Sequence, residues 1–200
     1  MSASLVETIC IDSGKPRHLD YHNRRMNTTR AQLYERHDPI FLENYIDSAQ
    51  VPSQLTKCRV MYNEEIIEVQ YLPYTIHFIH SLRAIHVRET CRYDHKWTDR
   101  EHLRAYYNQR EDSDDILMIR SGLLTDTYYA NVALSKDDLW YTPALPLLEG
   151  TARARLLDEK RLIPQDIALT DLDNYRAIRL FNAMIPFGEI ELPIASISIG

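Results

Sequence analysis

Gly122-Leu-Leu-Thr-Asp-Thr-Tyr-Tyr-Ala-Asn131 carries one carboxylate, Asp126, inside a run of β-branched, aliphatic and aromatic residues entered through a glycine. Such residues suit a strand, and Ser121-Gly122 suits a tight turn, because glycine accepts a positive φ at no steric cost. Asp115 to Ile119 before it reads as a buried strand, and Tyr128 to Leu134 after it as the next one. Working outward, a single lysine, Lys96, stands 126 − 96 = 30 positions upstream. Downstream come Leu148-Glu-Gly-Thr-Ala-Arg153, where Gly150 opens a helix over Thr151 to Lys160, and Phe181-Asn-Ala-Met-Ile-Pro186.

The rest of the chain mixes strands and helices without regular βαβ alternation, which predicts an α+β fold in two lobes. Leu5 to Ile11 reads as a strand and Asp12-Ser-Gly-Lys15 as a hairpin turn. Asp20 is placed to cap a helix running to Leu33, and Pro39 to start a second one over Ile40 to Ile46. Asp47 to Leu55 reads as loop; Cys58 to Tyr62, Ile66 to Tyr71 and Tyr74 to Val87 read as strands. Thr98 and Glu101 have capping-box spacing ahead of a helix with Leu103, Tyr106 and Tyr107. Leu139 to Thr142 is a short strand, Asp171 to Tyr175 a helical turn, and Arg176 to Met184 and Ile190 to Ile199 close the chain as strands. The break between lobes is expected near Cys91 to Trp97, giving domains 1–92 and 93–200.

With 200 residues and 44% hydrophobic content the chain can bury a sizeable core. Its net charge of −6, without a basic block, argues against nucleic acid as a partner. The start, Met-Ser-Ala-Ser-Leu-Val-Glu7, lacks the basic and apolar runs of a signal peptide, and no apolar run is long enough for a membrane span. Three widely spaced cysteines, Cys10, Cys58 and Cys91, read as reduced thiols of a cytoplasmic protein. A metal site is not expected. Asp20 separates His18 from His22, and the odd spacing of His77 and His80 sends them to opposite strand faces.

Singly, Lys96 is a solvated side chain, Asp126 a strand-end residue, Gly150 a cap and Arg25 a surface charge. Together they supply a lysine to form a Schiff base, an acid to keep a pyridine nitrogen protonated, and a helix start with an arginine to hold a phosphate. Those are the requirements of a pyridoxal phosphate site.

In order along the chain, Val6-Glu-Thr-Ile9 with Ser13-Gly-Lys15, His22-Asn-Arg-Arg25, Lys96-Trp-Thr-Asp-Arg100, Gly122 to Asn131, Trp140-Tyr-Thr-Pro143, Gly150-Thr-Ala-Arg153 and Asn182-Ala-Met184 resemble the class IV pyridoxal-phosphate enzymes. That family includes branched-chain and D-amino-acid aminotransferases and aminodeoxychorismate lyase. The resemblance covers nearly the whole chain and implies a D-amino-acid aminotransferase-like fold. It implies Lys96 as the catalytic lysine, and Arg25, Asp126, Thr151, Ala152, Asn182 and Ala183 around pyridoxal 5'-phosphate. It names Glu7 and Thr8 as substrate neighbours. Asn182-Ala-Met184 resembles the lyase branch, whose reaction takes 4-amino-4-deoxychorismate to 4-aminobenzoate and pyruvate in folate biosynthesis. The alternatives are an aminotransferase acting on a branched-chain or D-amino acid, and a non-catalytic relative. Three positions depart from the family: Asp126 stands for glutamate, Asp99 for asparagine, and Ala152 for threonine. A family segment ahead of the Glu7 strand is also expected to be missing. The resemblance then implies a homodimer in which a neighbouring subunit supplies part of the pocket wall around a small amine substrate.

Overall fold

The computed structural model describes residues 4–47, 51 and 53–199; part of the expected loop Asp47 to Leu55 lies outside the described residues. The chain divides into two compact units. The first is made of residues 1–76 and 95–99, the second of residues 77–94 and 100–200.

The first unit is a four-stranded antiparallel sheet with one long helix. Its strands are β1 (Leu5–Asp12), β2 (Lys15–Pro16), β3 (Thr56–Tyr62) and β4 (Ile66–Pro73), ordered β2-β1-β3-β4. Period-2 alternation explains the pairing. Leu5, Ile9 and Ile11 of β1 and Cys58, Val60 and Tyr62 of β3 point to one face. There they form a core with Met26 of helix α1 (Leu19–Tyr34). The Asp12–Lys15 turn takes positive φ at Ser13 and Gly14, as a tight two-residue hairpin requires.

Helix α1 begins one residue before Asp20, which lies in its first turn, where a carboxylate favours the positive helix end. The expected second helix over Ile40 to Ile46 is only a 3-10 turn, Leu42–Asn44. The reason is non-local. Asn27 Oδ1 accepts the Ile40 N–H at 2.9 Å, Asn23 Oδ1 accepts the Leu42 N–H at 2.9 Å, and Asn27 Nδ2 donates to the Ile40 carbonyl at 2.8 Å. Side chains of α1 thus take the backbone groups that a helix would use.

Residues 95–99 return to the first unit by a short antiparallel contact. The Val6 N–H donates to the Lys96 carbonyl and the Thr98 N–H to the Ser4 carbonyl, both at 2.9 Å. The Thr98 hydroxyl bonds Ser4 at 2.9 Å, so it does not cap the next helix.

The second unit is a larger mixed sheet. β5 (Leu82–His86), β6 (Asp115–Arg120), β7 (Leu123–Thr127), β8 (Asn131–Lys136), β9 (Leu139–Pro143) and β10 (Ile163–Gln165) follow one another across it. β11 (Ala177–Phe181) pairs with β8 and with β12 (Ile190–Pro193), and β13 (Ile197–Ile199) lies beside β5. The expected strand from Tyr74 shrinks to β5 because Asp114 Oδ2 accepts the N–H groups of His80 and Ser81 at 2.7 and 3.1 Å. Helix α2 (Glu101–Tyr107) and helix α3 (Thr151–Asp158) complete the unit, and Leu156 of α3 packs with Ala133, Leu162 and Phe181. β10 was not expected from the sequence, and the final strand region is broken by a 3-10 turn at Ile194–Ser196. Among the described residues no helix is long and apolar enough to cross a membrane.

Candidate cofactor site

In the first unit the decisive residue is Glu7. It sits on the apolar face of β1 between Leu5 and Ile9 and is fully buried. A carboxylate there requires partners, and α1 supplies two of them from one face, three positions apart. Arg25 grips it in a fork: Nε donates to Oε1 at 2.9 Å and Nη2 to Oε2 at 2.6 Å. His22 Nδ1 lies 2.6 Å from the same Oε2. Burial opposes ionisation of Glu7, but the Arg25 charge and the hydrogen bonds from His22 and Arg25 outweigh it and hold the pKa at about 2. Burial pushes His22 down against the pull of Glu7, so its ring is neutral and donates through Nδ1. Lys96, half-buried, adds its positive charge to the field that lowers His22.

Glu7 therefore positions Arg25 and His22, and its oxygens are occupied. Thr8 points to the opposite face of the strand, so these two expected substrate neighbours cannot line one pocket. The side chain of Arg25 keeps 16% of its surface exposed beyond the Glu7 fork. Lys96 is placed by its backbone carbonyl, which accepts the Val6 N–H, and by the Thr98 N–H two positions on, which donates to the Ser4 carbonyl.

In the second unit Asp126 is the penultimate residue of β7 and lies opposite Asn131, the residue pair that joins β7 to β8. Its carboxylate is held by two N–H donors. Asn131 Nδ2 donates to Oδ1 at 2.7 Å and the Leu148 N–H to Oδ2 at 2.9 Å. Asn131 also donates to the Leu148 carbonyl at 2.9 Å. Asp126 is buried and makes no ion pair among the described residues. Desolvation raises its pKa to about 6, with the Leu148 and Asn131 hydrogen bonds pulling the other way.

Gly150 caps α3, and a Cβ there would lie 2.0 Å from Asn131 Oδ1. The acid, the asparagine and the helix start are thus one interlocked unit. At the first two helical positions the N–H groups of Thr151 and Ala152 have no acceptor within the helix. Thr151 is buried and Ala152 half-buried. The expected role of Asn182 changes. Its Oδ1 accepts the N–H groups of Met184 and Ile185 at 2.7 and 2.9 Å, and its Nδ2 donates to the Tyr129 carbonyl at 3.1 Å. The side-chain amide builds its own turn, which presents Ala183 half-buried and Met184 buried.

The donor set fits pyridoxal phosphate. A buried carboxylate with no ion-pair partner among the described residues, and only a weak pull from the Arg153 charge, suits a protonated ring nitrogen, and a helix start suits a phosphate. Residues 4–192 match the class IV amino-transferase family. The chain belongs to that family. Its members depend on pyridoxal phosphate, and this chain is a pyridoxal phosphate-dependent enzyme of the class. It is 30% identical over 184 residues to an uncharacterised protein of Haemophilus influenzae, covering 90% of this chain and 97% of that one. A Haemophilus somnus structure described as a candidate 4-amino-4-deoxychorismate lyase is 32% identical, with TM-score 0.85 over 92% of this chain and 97% of that one. A hypothetical aminotransferase of Mycobacterium tuberculosis, solved with pyridoxal phosphate bound, shares the fold at 14% identity, with TM-score 0.76 over 98% of this chain and 81% of that one.

His22, Asn131 and the Leu148 backbone were missing from the expected site. Asn131 was visible as the last residue of the Asp126 stretch. His22 and Leu148 act through contacts that no local spacing reveals.

Proposed function

We propose that this class IV enzyme is an aminodeoxychorismate lyase, converting 4-amino-4-deoxychorismate to 4-aminobenzoate and pyruvate. Lys96 would hold the cofactor, and its amine would serve as the base and acid that moves the proton at the carbon next to the substrate nitrogen. Asp126 keeps the ring nitrogen protonated. Arg25 and the Thr151 and Ala152 N–H groups hold the phosphate, with Asn182 and Ala183 bordering it through the turn they form. The cofactor supplies an electron sink when bound. Pyruvate leaves, and the product's aromaticity drives the reaction forward.

The observation that carries the cofactor assignment is the buried Asp126 carboxylate, which has no ion-pair partner among the described residues. The lyase choice is supported by the Asn182–Met184 turn, whose amide is engaged internally and whose Met184 is apolar and buried, so the segment offers no hydroxyl for a second substrate carboxylate. The described Haemophilus somnus relative supports the same branch. An aminotransferase reaction is the alternative. The enzyme works as a cytoplasmic homodimer in this reading. Formation of pyruvate and 4-aminobenzoate from aminodeoxychorismate, assayed beside a panel of amino donors and keto acids, tests it. Transamination without lyase turnover would reverse the choice.

A further inference from the structure

Arg153 stands in the first turn of α3, a place with several features that oppose a cation. The helix dipole is positive at that end, and the first turn holds no acid to offset it. The residue is only 6% exposed, so burial works against its charge. Its Nε is buried with no hydrogen-bond partner among the described residues, a further cost. A guanidinium kept in such surroundings needs a reason, and its contacts supply one.

Arg153 Nη2 donates to the Pro143 carbonyl at 2.8 Å and lies 3.5 Å from the Ala144 carbonyl. Pro143 ends β9, and residues 144–149 run from it to Gly150, the cap of α3. Arg153 therefore ties the far end of this loop back to its beginning. The same loop carries Leu148, whose N–H donates to Asp126 at 2.9 Å and whose carbonyl accepts from Asn131 at 2.9 Å. The N–H of Leu147, a buried residue, assists at the same carboxylate. Charge follows the same connection. Asp126 and Glu149 are the anions that favour the Arg153 cation, and Arg153 is the cation that favours the Asp126 anion.

We propose that Arg153 is the positioning residue of Asp126: by locking loop 144–149 to α3 it keeps the Leu148 N–H on the carboxylate, and its charge favours the ionised form. The role in catalysis rests on Asp126 being the acid that faces the cofactor's ring nitrogen. Only an ionised, fixed carboxylate can hold that nitrogen protonated. The larger part of the effect runs through the loop, since the Leu148 hydrogen bond acts on Asp126 more strongly than the Arg153 charge does.

Carboxyl-carbon NMR of the full chain before cofactor is added, with Asp126→Asn assigning the signal, measures the Asp126 titration in the wild type, Arg153→Met and Arg153→Lys. The expected result is a proton affinity of Asp126 about threefold to tenfold higher in Arg153→Met, the range of one hydrogen bond. Arg153→Lys keeps a cation with N–H donors and is expected to lie closer to the wild type. In the cofactor-loaded enzyme, Arg153→Met is expected to shift the visible spectrum in the same sense as Asp126→Asn. Equal titrations in the wild type and Arg153→Met, with only the melting temperature changed, overturn the proposal and leave Arg153 a structural clamp. Should Arg153→Met not fold, the wild type decides. Its Leu148 N–H and Arg153 Nε–H resonances are expected to move with pH at the Asp126 midpoint and to stop moving in Asp126→Asn; an Arg153 Nε–H blind to that midpoint overturns the proposal. Coupling of Asp126 to Arg153 in a chain that takes up no cofactor on Lys96 supports the pairing and overturns the cofactor role of Asp126, so the two failures are distinct.

Discussion

Asp126 and Glu7 are both buried acids, and their partners give them opposite characters. Glu7 has a cation in a two-pronged grip and stays ionised to about pH 2; Asp126 is hydrogen-bonded by N–H donors with the Arg153 charge only a smaller pull, and burial raises it to about 6. An ionised Asp126 therefore calls for a positive group, which a protonated pyridine nitrogen supplies. Asp126→Asn removes the charge and leaves an amide facing two N–H donors. The expected outcome is a turnover lower by about 10²-fold or more, the scale of losing one directed charge interaction, with a changed visible spectrum of the bound cofactor. Steady-state kinetics and absorbance check it; unchanged turnover would remove Asp126 from the site. The spacing of Asp126 and Asn131 was legible in the sequence, because both lie on one local turn. The grip of Glu7 on Arg25 was not, because it needs β1 and α1 packed together. Nor was the inward turn of the Asn182 amide, which a motif match cannot distinguish from a ligand-facing one.

At the level of elements, the junction of Asn131 with the start of α3 matters most. Gly150 has φ −70° and ψ 144°, a conformation open to any residue. Its requirement is thus steric, set by Asn131 Oδ1 at 2.0 Å from a would-be Cβ. Gly150→Ala is expected to push Asn131 off Asp126, lower stability by about 1–3 kcal/mol through the lost buried hydrogen bonds, and weaken cofactor affinity. Thermal melts with and without pyridoxal phosphate check both effects. Elements set by local alternation and turn residues, such as β1 with its hairpin and the helix opened by Gly150, were readable in advance. The segment over Ile40 to Ile46 was not, since Asn23 and Asn27 of α1 satisfy its backbone from a distance. The Tyr74 region failed for the same reason, with Asp114 taking the N–H groups a longer strand would need.

Across the whole molecule, the chain leaves the first unit at Ile76 and returns for His95–Asp99, so the unit holding Lys96 is discontinuous in sequence. The sequence suggested one break near Cys91 to Trp97. The return depends on two backbone hydrogen bonds to Ser4 and Val6, contacts some ninety residues apart that periodicity cannot reveal. The buried acids also divide between the units, which sets their pH response. Glu7 has its pKa lowered, so its stabilisation is present above about pH 4.5 and is lost as pH falls towards 2. Asp126 and Asp115 have theirs raised from 3.8 to about 6, so without cofactor the second unit loses stability as pH rises through that window. For Asp126 the shift corresponds to about 3 kcal/mol. Scanning calorimetry of the cofactor-free protein between pH 3 and 7 is expected to show the second unit weakening towards pH 7 and Asp126→Asn reducing that slope; a slope unaffected by the substitution would contradict the assignment.

Everything proposed for this enzyme turns on Lys96 carrying pyridoxal phosphate. Borohydride reduction of the cofactor-loaded protein, followed by peptide mass spectrometry, tests it most directly. Visible absorption that reduction abolishes is expected, with the pyridoxyl group fixed on Lys96 and absent from Lys96→Ala. A colourless protein with no added mass, or the group fixed on another lysine, would contradict it.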